Sequence, residues 1–117
     1  MLHHATVTID CADAAESAAF WSAALDRPIA NGANRYFAQL PGGPGRLAWL
    51  FVAVPEPKTV KNRVHVDFTS PDRDAEVARL VGLGATELAR HEEYGMSWTT
   101  LRDPHGNEFC VADEGGH

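Results

Sequence analysis

With 117 residues, 44% of them hydrophobic, the chain is long enough for one domain that buries a core without disulfide or metal staples. Its 16 acidic against 10 basic residues give a formal net charge of −6, and no basic cluster exceeds the Lys58–Arg63 neighbourhood, which argues against nucleic acid or an anionic membrane as partner. No run reaches the length of a membrane span, Met1 to His4 lacks the cationic and apolar blocks of a secretion signal, and Cys11 and Cys110 lack metal-type spacing, so a cytoplasmic protein with two free, buried thiols is expected.

One pattern occurs twice. Thr6 to Asp13 and, 59 residues later, His65 to Asp72 are alternating polar and apolar runs, each ending at an aspartate suited to cap a helix. In the first copy Val7, Ile9 and Cys11 share one strand face, with Thr6, Thr8 and Asp10 opposite. Asp13 and Glu16 make a capping box, and Ala14, Ala18, Trp21 and Leu25 predict the inward stripe of a helix that stops before Pro28. Runs from Arg35 to Leu40 and Leu47 to Val54, joined by Pro41 to Gly45, predict a hairpin. Pro55 to Asn62 is polar, has nothing to bury and reads as the link between halves.

The second copy repeats the order. Val64, Val66 and Phe68 predict one strand face, with His65, Asp67 and Thr69 opposite; Asp72 caps a helix whose inward stripe is Val77, Leu80, Val81 and Gly84. A short strand at Thr86 to Ala89, then strands over Met96 to Leu101 and Glu108 to Ala112, follow, the last two joined by the Asp103 to Asn107 turn. The large aromatics Phe20, Trp21, Trp49 and Phe51 read as core, and Trp98, if Leu101 points inward, faces a cleft together with Thr100. His105 in its turn and His117 at the chain end read as solvated.

Taken together, the doubled unit, the helix ending near Phe20-Trp21 and Leu25, the stretch Val54 to Asp67, Ala78-Arg79-Leu80 to Ala85, and Asp103-Pro104-His105-Gly106-Asn107-Glu108-Phe109-Cys110 resemble the glyoxalase/bleomycin resistance/dioxygenase (vicinal oxygen chelate) superfamily, most of all its glyoxalase-like branch. The resemblance spans about Ala5 to Val111. It implies an α+β fold in which two βαβββ modules, about 4–56 and about 62–113 of a single domain, form one curved eight-stranded mixed sheet with helices on the outer face. It also implies a divalent metal in the concavity of the catalytic members, which include lyases, isomerases and dioxygenases, whereas the antibiotic-sequestering members bind drugs without one.

Carried onto this chain, the family's ligand positions fall at Thr6, Val52, His65 and Cys110. Only His65 is an unambiguous match: the Thr6 hydroxyl is a poor ligand for divalent cations, Leu47 to Val54 offers no donor in any register, and Cys110 could bind zinc as a thiolate but with one imidazole leaves two or more ligands to find. His4 and Glu108 share strand faces with Thr6 and Cys110, but two residues along a strand move an anchor by about 6–7 Å, far beyond what a metal bond tolerates. No metal or other cofactor is therefore expected. The first hypothesis is a glyoxalase-like protein with a degenerate metal site that binds a small organic molecule in a pocket of Thr6, Val52, His65, Asp67, Trp98, Glu108 and Cys110, without glyoxalase I activity. The alternative is a divalent-metal-dependent lyase, isomerase or dioxygenase-type enzyme using His65 as ligand or base, with Glu108 or Asp67 completing proton transfers. His65 and Glu108 are the best catalytic candidates. Exposed sheet edges add the expectation of a homodimer, and a module that serves mainly dimerisation or partner binding is a third reading.

Overall fold

Aspartates at the ends of two strands set the local fold in both repeats. In this computed structural model, which describes residues 1–114, the chain divides into two units, Met1–Pro57 and Lys58–His117. The expectation for His117 lies outside the described residues, and no described helix is long and apolar enough to cross a membrane.

The first unit contains β1 (Thr6–Cys11), α1 (Ala14–Leu25), β2 (Phe37–Leu40) and β3 (Ala48–Ala53). Asp13 has extended backbone and its Oδ1 accepts the Glu16 N–H at 3.0 Å, satisfying one of the orphan donors of the first helical turn. The helix ends at Asp26, in the left-handed region with φ 53°, two residues before Pro28. β1 runs parallel to β3, from Thr6 beside Ala48 to Cys11 beside Ala53, and β2 pairs antiparallel with β3 as the predicted hairpin. Ala14, Ala18, Phe20 and Trp21 are buried, as are Leu40, Trp49 and Phe51, with Trp21 and Trp49 rings 5.0 Å apart. Each large side chain so buried contributes about 1.5–3 kcal/mol. Buried Arg27 donates to the carbonyls of Pro41 at 2.6 Å and Leu47 at 2.8 Å, holding both ends of the hairpin turn. Gly42 is required there: a Cβ would meet the Ala48 nitrogen at 2.7 Å. β2 starts two residues later than the sequence predicts because Asn34 Oδ1 accepts the Tyr36 and Phe37 N–H groups in a local turn.

The second unit contains β4 (Val66–Ser70), α2 (Arg73–Leu83), β5 (Thr86–Glu93), β6 (Met96–Arg102) and β7 (Glu108–Asp113), in the sheet order β4-β7-β6-β5. β4 lies parallel to β7; β6 is antiparallel to both β7 and β5. Asp72 Oδ1 accepts the Ala75 N–H at 3.1 Å, and α2 stops at Gly84, whose φ of +123° only glycine adopts without strain. Val77 and Leu80 are buried, together with Thr99, Leu101, Phe109 and Val111 of the sheet.

Four expectations change. The eight expected strands are seven among the described residues, in sheets of three and four, because no strand forms between Asp26 and Tyr36. β5 is a full eight-residue strand rather than a short one over Thr86 to Ala89. Val64 is 83% exposed, since β4 starts only at Val66 and no pairing fixes its face. Val81 is 45% exposed, because the inward side of α2 is confined to Val77 and Leu80.

Candidate functional site

Strand parity divides the second unit's sheet into two unlike faces. Thr99, Leu101, Phe109 and Val111 are buried on one face, so their neighbours Trp98, Thr100, Cys110 and Ala112 point to the other. Register then sets them side by side: Asp67 pairs with Cys110 and Cys110 with Thr100, while Ala112 pairs with Trp98 and Trp98 with His91. A hollow of about 490 Å³ lies over this face.

Five of the seven residues named from the sequence line that hollow: His65, Asp67, Trp98, Glu108 and Cys110. Thr6 and Val52 lie in the first unit, on one face of its sheet but four register positions apart, Thr6 beside Ala48 and Val52 beside Asp10. Lys61, His91, Met96, Thr100 and Ala112 complete the lining. His91 is not among the residues the sequence points to. It stacks on Trp98 with ring centroids 5.0 Å apart and planes 19° apart, a face-to-face aromatic pair in the lining. The signal that could have found it is Tyr94-Gly95, both at positive φ, a two-residue hairpin turn that fixes Glu93 opposite Met96 and so His91 opposite Trp98.

The polar groups are partnered in ways that settle their chemistry. His65 stands one residue before β4, half exposed, and its Nδ1 donates to Asp67 Oδ1 at 2.7 Å. Cys110 Sγ lies 3.4 Å from Thr100 Oγ1. Burial pushes the Cys110 thiol above its ordinary pKa; the Thr100 hydrogen bond opposes this, and the nearby Asp67 carboxylate reinforces it. Cys110 is thus a neutral thiol at neutral pH and a poor nucleophile, even with an imidazole close by.

Glu108 is held from the connector. The connector does engage the rest of its unit: the Asn62 N–H donates to Glu108 Oε1 at 2.8 Å, Asn62 Nδ2 to the Glu108 carbonyl at 3.2 Å, and Lys58 Nζ to Oε2 at 3.0 Å. Burial alone would raise the Glu108 pKa, but the Asn62 N–H and the Lys58 ammonium outweigh it and hold the carboxyl below the usual range. Glu108 is thus an ion-paired carboxylate of lowered basicity. His105 is half-buried rather than solvated, because its loop is drawn in around buried Asp103, whose Oδ1 accepts the His105 and Asn107 N–H groups at 2.9 and 3.0 Å.

His65, Asp67 and Cys110 each bring one ligand atom within 4.8 Å of the others. Imidazole, carboxylate and thiolate are donors that zinc and similar cations accept, and three protein donors is the number that open zinc sites use. The set fits such a cation, though it differs from the superfamily pattern: all three donors come from the second unit, and Asp67 is additional to the family's positions. Binding would require loss of the Cys110 proton.

A profile of the glyoxalase-like domain matches residues 6–112. Compared by sequence with curated proteins, the chain matches none. Among solved structures it is similar to a glyoxalase/bleomycin resistance protein/dioxygenase family enzyme from Burkholderia phytofirmans PsJN, with 21% identity over 93% of this chain and 96% of that one and a TM-score of 0.75. A glyoxalase-related enzyme from Fulvimarina pelagi gives 15% identity, 97% and 89% coverage and a TM-score of 0.74. A lactoylglutathione lyase from Agrobacterium tumefaciens gives 16%, 97% and 95%, and 0.67.

Proposed function

This chain belongs to the glyoxalase-like domain family, and on that premise we propose that it binds a small organic molecule with a flat apolar body in the hollow of its second unit. The observation that carries the reading is the stacked pair of His91 and Trp98, parallel to within 19°, which lines the hollow with Met96 and Ala112. Stacking on such a surface favours planar ligands, while the few polar groups orient them. His65 and Asp67 supply a hydrogen-bonding pair at one side of the hollow. The neutral planar probe 2-naphthol, titrated calorimetrically, is expected to bind the wild-type protein, and Trp98→Ala to weaken it by about tenfold or more. Unchanged affinity in a Trp98→Ala protein that still unfolds cooperatively would sink the assignment.

A second reading is favoured by the convergence of His65, Asp67 and Cys110. In it these side chains hold a divalent cation that supplies Lewis-acid polarisation to a bound oxygen. Cobalt(II) titration of protein purified without a His tag tests it: a sulfur-to-cobalt charge-transfer band that saturates at one equivalent and vanishes in Cys110→Ser supports the site. Its absence from the wild type removes that reading.

A further inference from the structure

We propose that the molecule bound by this protein carries an anionic group, a carboxylate or a phosphate, joined to its flat apolar body. This rests on the binding reading above and adds the ligand's charge to it. Beside the larger hollow is a second, of about 260 Å³, and the two have Lys61 and Glu108 in common in their walls. The smaller one is mostly polar, with Lys58, Thr59, Arg102 and His105 beside Val60 and Gly106. A ligand lying on the Trp98 wall and reaching past Lys61 would place its far end there.

The pairing of charges decides which sign that end carries. Glu108 is tied to Lys58, and Asp67 to His65, so both carboxylates near the two hollows already have partners. Lys61 and Arg102, in contrast, take part in no ion pair among the described residues. Two uncompensated cations thus border a polar hollow in a chain whose formal net charge is −6, a local reversal of the overall sign. Arg102 faces Glu108 in the β6–β7 register, which sets it on the same sheet face as Thr100 and Cys110. Its planar fork of donors suits a carboxylate or phosphate, and Lys61, bordering both hollows, adds a point charge where the apolar and anionic parts of the ligand would meet.

Three probes with one ring system test the proposal by calorimetry at neutral pH and low salt: neutral 2-naphthol, 2-naphthoate and 2-naphthyl phosphate. At least one anion is expected to bind about tenfold tighter than naphthol, with the advantage shrinking as salt is added. The tighter of the two anions identifies the ligand class. In Arg102→Met, an exposed-site change that leaves the Trp98 wall in place, the ratio of anion to naphthol affinity is expected to fall towards one. Equal affinity for all three probes overturns the charge proposal and leaves the hollow as a binding site for neutral molecules. A ratio that survives Arg102→Met overturns it as well, whereas failure of every probe, naphthol included, strikes at the binding reading itself.

Discussion

Cys110 and Glu108 are two positions apart on one strand face, yet their surroundings drive them to different protonation states. Burial and the Asp67 carboxylate keep the thiol protonated; the Asn62 N–H and the Lys58 ammonium keep the carboxyl ionised. The thiol makes Asp67→Asn informative. Removing that negative charge lowers the Cys110 pKa, so alkylation by iodoacetamide, assigned to Cys110 by peptide mass spectrometry, is expected to run several-fold faster at mildly alkaline pH. Thr100→Val removes a hydrogen bond that favours the thiolate and is expected to slow it; the same sign in both variants would contradict this picture of the site. Glu108→Gln is expected to cost about 1.5–3 kcal/mol at neutral pH, the worth of hydrogen bonds to a charged group. Because the folded pKa lies below the unfolded one, that stabilisation is complete above the ordinary glutamate pKa and is lost as pH falls through the folded value. Denaturant midpoints of wild type and variant should therefore converge in acid. At this scale the sequence reveals which side chains share a face, since alternation fixes that for Asp67, Trp98, Glu108 and Cys110. It conceals their partners: nothing in Pro55 to Asn62 announces that Lys58 and Asn62 will close on a strand some 46 to 50 residues onward.

The elements were legible wherever a local chemical signal marks an end. Asp13 and Asp72 begin helices because a side-chain oxygen can take an N–H of the first turn, and Gly84 ends one because its backbone can turn left-handed. Strand ends lacked such marks. Val64 continues the alternation of Val66 and Phe68 but has no ladder partner, and β5 outruns its apolar residues because pairing with β6, not burial, holds Arg90 to Glu93 extended. Asp13→Ala and Asp72→Ala are each expected to lower stability by about 1 kcal/mol. Gly84→Ala should cost more, about 1–3 kcal/mol, since alanine must adopt φ near +123° and its Cβ would come 3.4 Å from Pro104 Cγ. Chemical denaturation of the three variants checks the ranking; a Gly84→Ala protein as stable as wild type would show that the C-terminal turn of α2 readily rebuilds.

At the scale of the whole chain, the repeat could be read because each copy opens with the same strand, spacing and capping aspartate. The inequality of the halves could not: the segment between Asp26 and Tyr36 holds Pro28 and Gly32 and forms no ladder, leaving the first unit with three strands to the second unit's four. That inequality bears on association. β5, an outer strand of its own sheet, is defended by Glu87, Arg90, Glu92 and Glu93 and by a bulge between Glu87 and Ala89, the devices by which edges avoid pairing with other chains. β2, an outer strand of the other sheet, has no charged residue over Phe37–Leu40, and Phe37 and the preceding Tyr36 are 44% and 66% exposed. Burying those two rings against a second copy would remove apolar surface that a lone chain leaves in water, at about 25 cal/mol per Å². A homodimer joined through the β2 edge is therefore expected, with light scattering giving twice the chain mass and Phe37→Lys shifting the population to monomer, because a lysine at that position would have to bury its charge in the contact. If the wild type is monomeric at high concentration, the undefended edge is tolerated in water and the argument from β2 fails; if it is dimeric and Phe37→Lys leaves it so, the contact lies elsewhere on the surface.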